Sequence, residues 1–348
     1  MSFEQQSKAD VLVRLKADLA TTTNGQSTVE GAFNSDILTA NSIEFEQAYN
    51  EMNLMMEASF AGTSWGQYLT MRAAEFGVVR KEATAAVVNL KITGTAGSQV
   101  IKGSLFSTTE DLRFYTISDS IVGFDGTVTV KAQCGTNGAV GNVAAATINK
   151  IPYSIPGIVA VNNDSAATDG YDAETDDELL VRYLLKVRTP ATSGNTYHYQ
   201  QWALSIAGVG QVKILPLWNG NGTVKVIIVD INNATASSTL IQAVADYIET
   251  VRPIGATVTV TSPVPLAIDI KADITGSGDI DKIKTSVNEY FKANGFGISY
   301  VSIARIGKTL LDSGITDYDN LLINNQADNI ALSVDQLPTC GTVTLNVT

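Results

Sequence analysis

One histidine, two cysteines and a thin population of charged side chains leave this sequence little of the usual equipment for chemistry at neutral pH. With His198 as the only imidazole, a zinc set would have to be built around Cys134 and Cys340, which lie far apart in the chain. Two isolated thiols fit a protein made in a reducing compartment, and each reads as a small buried hydrophobe. Charged residues make up 17% of the chain, below the roughly one quarter of an average protein. That deficit has two readings: a surface covered by partners, or a β surface rich in Thr and Asn. The 23 basic and 35 acidic residues give a net charge of −12, and no run of Lys or Arg exceeds two. Such a chain repels phosphate backbones, which argues against nucleic-acid binding. No apolar run is long enough to span a bilayer; Val224-Lys-Val-Ile-Ile-Val229 has strand length. The first eight residues have neither a basic nor an apolar segment, so no secretory signal is expected and no membrane insertion.

What is present is a folded, modular chain. The 45% hydrophobic content excludes wholesale disorder, and 348 residues exceed what one small core organises. Residues 1–80 read as helical. Within them Leu38, Phe45 and Met52 recur at one heptad position and Ala48 and Met55 at another, with Tyr49 and Met56 beside them. This stripe fits either a bundle with other chains or a helix packed on its own domain. Residues 81–165 are short β-branched runs broken by Gly, Asn and Asp, the pattern of an antiparallel β domain.

Residues 166–262 and 263–348 alternate helix and strand as two α+β modules. In the first, Thr175 stands at an N-cap with Glu178 three positions on, and the helix stops at Thr189-Pro190. Val212 to Leu217 and Val224 to Ile231 form a hairpin across Trp218-Asn-Gly-Asn-Gly222, and a helix from Leu240 ends at Arg252-Pro253 before a strand at 257–261. In the second, a strand at 266–274 precedes helices at 279–293 and 301–311 and strands at 320–323, 329–332 and 342–347. The expected fold is therefore α+β multidomain: N-terminal helices, an antiparallel β domain, then two α+β modules.

Candidate chemistry fails on context. Gly62-Thr-Ser-Trp-Gly66 matches the Gly-x-Ser-x-Gly nucleophile elbow, but that elbow needs a strand before the Ser, and residues 52–60 are helical in pattern. A Ser64/His198 pair would also lack a defined orienting carboxylate; an interhelix turn and a packed aromatic face account for the two residues. Asp164, Asp169, Asp172, Glu174, Asp176 and Asp177 are dense enough for calcium but lack the alternation of a calcium loop, and a capped helix start explains them more simply. Gly220-Asn-Gly222 carries no Lys-Ser/Thr and precedes no helix, so it is not a phosphate loop. No enzyme activity, metal or cofactor is expected.

Several segments, in order, resemble the baseplate J-like family of contractile phage tails and related injection particles. They are Gly94-Thr-Ala-Gly-Ser-Gln-Val-Ile-Lys-Gly-Ser-Leu-Phe-Ser-Thr108, the small-residue turn 135–144, Ile155-Pro-Gly-Ile-Val159, the acidic capped helix start 168–182, and Trp202-Ala203 with Gly208-Val209. Arg252-Pro-Ile-Gly255 and Leu337-Pro-Thr-Cys-Gly-Thr-Val343 complete the series. One departure is Thr70, where the family often carries an acidic residue.

The resemblance implies a structural wedge subunit, with Thr175, Glu178, Arg252, Pro253 and Gly255 as its structural motif. The stripe Leu38, Phe45, Ala48, Met52 and Met55 would be the bundle interface. Implied partners are a second copy of the chain, a smaller wedge tail protein, and sheath-initiator and hub proteins. Two copies per wedge would build a ring around the hub that rearranges on sheath contraction. The location implied is a virion or tail-like particle assembled in the bacterial cytoplasm. The alternative is a β-modular cell-surface or receptor-binding adhesin, which would normally carry a signal or a fibre repeat.

Overall fold

The computed structural model describes residues 6–22, 27–189, 191–276 and 278–347. The first five residues and Pro190 of the expected helix stop lie outside the described residues. The chain divides into two compact units, one of Met1–Arg80 with Thr175–Val187 and one of Lys81–Glu174 with Arg188–Thr348.

The first unit is helical: α1 (Lys8–Thr22), α2 (Phe33–Ser59), α3 (Gly66–Ala74) and α4 (Asp176–Arg188). Its core joins Leu69, Ala73 and Val78 to Leu179 and Tyr183. The i, i+4 spacing of 69/73 and of 179/183 puts each pair on one helix face, and Phe76 meets the Tyr183 ring edge-on at 5.4 Å. The sequence reading groups α4 with residues 166–262; its buried residues instead complete the core of the N-terminal helices. That pairing joins residues more than 100 positions apart, which no local pattern announces. Helix α1 packs on α2 through Val11, opposite a face where Ser35 and Ser42 are buried. Lys8 N–H donates to Glu46 Oε1 at 2.8 Å, and the Arg14 guanidinium lies over the Tyr49 ring.

The second unit begins with strands β1 (Ala85–Gly94), β2 (Gln99–Val100), β3 (Leu105–Thr108), β4 (Arg113–Thr116), β5 (Ser120–Ile121), β6 (Thr127–Asn137), β7 (Ile148–Lys150) and β8 (Ile158–Asn162). Six of them form a nearly closed antiparallel sheet in the order β7-β3-β4-β6-β1-β8, and β2 pairs separately with β5. Alternation decides what is inside: Ala86, Val88, Leu90 and Ile92 of β1 face Val130, Ala132 and Cys134 of β6, with Phe106 and Phe114 between. Cys134 is thus a core residue and Cys340 is half-buried; both are free thiols. The two ends of this domain are tied where Lys81 N–H donates to Glu174 Oε2 and Glu174 N–H returns to Lys81 O, both at 3.0 Å.

Two α+β modules follow. The central one holds α5 (Thr196–Leu204), β9 (Val209–Pro216), β10 (Thr223–Asp230), α6 (Ser238–Val251) and β11 (Thr257–Thr261). Its sheet is ordered β11-β10-β9, with β10 antiparallel to β9 and parallel to β11. The last holds β12 (Val264–Thr275), α7 (Ile280–Asn294), β13 (Tyr300–Val301), α8 (Ile303–Asp312), β14 (Asp317–Ile323), β15 (Ile330–Ala331) and β16 (Gln336–Val347). There β12 is central, antiparallel to β14 and parallel to β16. Alternate residues Ile268, Ile270, Ala272 and Ile274 of β12 face Ile283, Val287 and Phe291 of α7 and Ile306 and Leu310 of α8.

Strand β10 is buried on both faces. Val226 and Ile228 pack under α5 and α6, whereas Ile227 and Val229 meet Phe296 and Leu337 of the last module. Four consecutive buried residues need covered faces above and below, which is what the unbroken apolar run of the sequence encodes. Lys225 Nζ pairs with Asp335 at 3.1 Å across the same joint, and Lys213 Nζ lies 4.5 Å from the Phe296 ring centre. None of the described helices is long and apolar enough to cross a membrane.

Candidate functional site

Helix α2 carries the candidate interface. Its packed face is small and polar, centred on Ser35 and Ser42, and the heptad stripe lies beside that face. Phe45, Met52 and Met55 are 49%, 46% and 69% exposed, Ala48 is exposed, and Leu38 is half-buried. The sequence offers α2 few intrachain partners; the structure supplies α1, which packs on it yet leaves most of the stripe in water.

The structural-motif residues are placed at two chain corners. At the start of α4, the Thr175 hydroxyl accepts from Glu178 N–H at 3.3 Å while Glu178 Oε2 accepts from Thr175 N–H at 2.9 Å. This reciprocal pair satisfies two amides that a helix start leaves without partners. At the end of α6, the Arg252 guanidinium grips both carboxylate oxygens of Glu249 and reaches Ala256 O at 2.6 Å. The fork binds the helix end to the segment entering β11. Pro253 lies against Gly194, where a Cβ would come within 2.3 Å of the proline ring, and Gly255 adopts φ +87°, open to glycine without strain. Ile254 between them is fully exposed.

Thr70 finds its role here. Arg80 Nε donates to Thr70 Oγ1 at 2.8 Å, and the carboxylate facing Arg80 comes from Asp176, at 2.6 Å. Asp176 also accepts from Gly66 N–H at the start of α3, at 2.7 Å. The Gly66 amide, then Arg80, hold the Asp176 carboxyl below its ordinary 3.8. A carboxyl lowered by folding contributes stability that is present above the unfolded value and lost as pH falls through the folded one. The contribution of Asp176 is therefore expected to be present at pH 7 and to fade as pH falls below its ordinary 3.8. Asp176→Asn should lower the melting temperature at pH 7 and flatten that acid limb, as followed by circular dichroism at 222 nm. An unchanged acid limb in the variant would remove Asp176 from the account.

The acidic series of the sequence disperses. Asp164 accepts from Asn162 Nδ2, Asp169 from the Ser237 hydroxyl, Asp172 from Ala139 N–H and Glu174 from Lys81 N–H. Each carboxylate secures a different turn, and no three such groups converge on a metal position among the described residues. Asp169 sits at φ +66° beside Tyr171, whose phenol is pushed up by burial, then by Asp169 and Asp230. Ser64 and His198 belong to different units. Ser64 closes the turn after α2, and His198 stacks on Trp202 at 4.4 Å while its Nδ1 accepts from Gly194 N–H.

One residue escapes the sequence reading. Asn163 is fully buried beyond the end of β8, and its Oδ1 accepts from Ile148 N–H at 2.8 Å. Its Nδ2 donates to Ala144 O and Ser165 O, and its own carbonyl accepts from Ala146 N–H. It thereby ties the last strand of the sheet to the turn entering the first in spatial order. An Asn among Asn162, Asp164 and Ser165 looks like ordinary loop sequence, so only the closure of the sheet reveals it.

These domains have counterparts. Residues 89–170 match the Baseplate J-like protein barrel domain, 191–262 the Baseplate J-like central domain and 266–346 the Baseplate J-like protein C-terminal domain. Phage-like element PBSX protein XkdT of Bacillus subtilis (strain 168) is 32% identical over 357 residues, covering 98% of each chain. The chain belongs to the Baseplate J-like family. Baseplate protein gp47 of Escherichia phage Mu is 32% identical over 181 residues, 50% of this chain and 49% of that one. The cryo-EM structure of the anti-feeding prophage baseplate aligns over 97% of this chain and 90% of its counterpart, with a TM-score of 0.41 and 11% identity. This Baseplate J-like chain is a structural protein of a phage baseplate. Its family-matched segments are the closed sheet and the two α+β modules; the α1–α2 hairpin lies outside all three.

Proposed function

We propose that this chain is the wedge subunit of a contractile tail or phage-tail-like injection particle. In this reading residues 1–80 form the bundle that joins two copies to one smaller wedge tail protein. The β domain of 81–165 and the modules of 166–262 and 263–348 build a ring around the central hub, beside the sheath-initiator and hub proteins. The ring rearranges as the sheath contracts, through many interfaces of ordinary size shifting together. The observation that carries the reading is the apolar row Phe45, Met52 and Met55 left exposed on α2. Support for contacts by the later modules comes from Leu217, Trp218 and Ile254, which are exposed in adjacent loops; Thr257 N–H donates to Gly222 O between those loops. The particle is assembled in the bacterial cytoplasm, and the chain uses no cofactor, nucleic acid or membrane.

Affinity purification of the tagged chain from a producing lysate, with mass spectrometry and negative-stain imaging, tests the assignment. Recovery of sheath, tube and wedge partners is the expected result. A lone monomer, in a lysate where particles are visible, overturns it.

A further inference from the structure

The α2 surface has an electrostatic as well as an apolar character. Its sequence, FNSDILTANSIEFEQAYNEMNLMMEAS, holds Asp36, Glu44, Glu46, Glu51 and Glu57 and no Lys or Arg. With Leu38, Phe45 and Met52 as heptad position a and Ala48 and Met55 as d, Glu44 and Glu51 both fall at g, one residue before Phe45 and Met52. Both are exposed, and neither takes part in an ion pair among the described residues. The other border, position e, holds Ser42, Tyr49 and Met56. Ser42 is buried and Tyr49 lies under Arg14 of α1, so this border is already in use. The stripe is therefore open on its g side, where exposed Ile37 precedes the two carboxylates Glu44 and Glu51 and no basic residue falls.

A second copy of α2 does not complement this edge. Run antiparallel, it sets g against g and faces Glu with Glu. Run parallel, it sets g against e, the border that α1 already occupies with Arg14 over Tyr49, so a second copy would have to displace α1 to reach it. In coiled contacts the e and g charges select the partner.

We propose that the helix seated on the open side of the α2 stripe comes from a different chain and presents an apolar row flanked by Lys or Arg. The proposal rests on the wedge-bundle reading and adds to it which contact is heterotypic and what chemistry the partner carries. Glu44 and Glu51 are its specificity-determining residues, whereas Phe45, Met52 and Met55 supply apolar area without discriminating.

The test uses the full chain and two labelled helical peptides with the same Leu/Ile heptad core. One carries Lys at its e and g positions and the other carries Glu. Fluorescence anisotropy at 50 mM salt is expected to give about tenfold tighter binding of the Lys peptide, since two exposed pairs replace two exposed repulsions. At 500 mM salt the difference should shrink to about twofold or less. The variant Glu44→Lys/Glu51→Lys should reverse the preference. Sedimentation of the chain alone should show no self-association that Phe45→Asp/Met52→Asp abolishes.

Equal binding of both peptides overturns the charge assignment and leaves the bundle reading standing. Self-association of the chain alone through the stripe identifies a second copy as the occupant and overturns the proposal. If neither peptide binds, the stripe is not a docking face, and the bundle reading falls with the proposal.

Discussion

Asn163→Ala is expected to open the β domain. Three side-chain hydrogen bonds disappear: the buried Ile148 amide loses its partner, the Ser165 carbonyl loses a part-buried one, and the Ala144 carbonyl keeps the Thr147 hydroxyl at 2.7 Å. An unsatisfied buried group costs roughly 1–3 kcal/mol, so with the two carbonyls relieved by Thr147 and by water the loss is about 2 kcal/mol. None of the three tryptophans lies in this domain, so the useful reporter is native-state hydrogen exchange at Leu90, Ile92 and Val130. These amides should exchange about thirtyfold faster, the ratio that corresponds to the loss in stability.

Asn163→Asp is the sharper variant. Its second carboxylate oxygen would face the two carbonyls now 2.8 and 2.9 Å from Nδ2. Folding would raise the pKa of that acid, so stability is present at low pH and lost as pH rises through the folded value. The Asp variant should match the Ala variant at pH 7 and recover at pH 5, where a protonated oxygen can donate to one carbonyl. Exchange rates that stay native in both variants would dismiss Asn163 as the closing residue.

Phe45→Asp with Met52→Asp is expected to abolish the association proposed for the α2 stripe without unfolding the helix. Both side chains are about half exposed in the isolated chain, so the substitutions cost α2 little. In a bundle each would be fully buried, worth roughly 1.5–3 kcal/mol, and the new carboxylates would have to be desolvated as well. Association should weaken by at least about a thousandfold, read as loss of co-purifying wedge protein at unchanged circular dichroism. Ala40→Asp with Gln47→Asp, two exposed positions on another side of the same helix, serves as the control and should associate normally. Melting of the hairpin by the double variant would favour packing on its own domain; undiminished association would remove the stripe from the assembly.

Much of this architecture is legible in local sequence because local physics decides it. The strand at 257–261 and the hairpin across Asn219-Gly-Asn-Gly222 follow from β-branched runs and turn residues. The Thr175/Glu178 cap follows from a reciprocal pair that needs nothing beyond four residues. Failures occur where a residue's role is fixed from afar. The helix expected from 301 begins at Ile303, because Val301 pairs with Ile330 in a short strand and Ser302 takes the capping position, accepting from Arg305 N–H. The closing strand begins at Gln336, six residues before the expected start, because Pro338 pairs opposite Leu266 in the parallel ladder. Proline in a strand interior argues against strand when only the sequence is in view. The exposure of the α2 stripe is a third such case, since the periodicity shows a face but not whether α1 covers it.

The first unit is completed only after the β domain has been made. Gly66 receives its bond from Asp176 across 110 positions, and Leu69 meets Leu179 across a similar distance. At ribosomal rates of about 5–20 residues per second, α3 waits roughly 5–20 seconds for α4. Throughout that interval α1 and α2 are already outside the ribosome with their apolar row in water. A partner helix supplied during translation would reach this row before a second unfinished chain does.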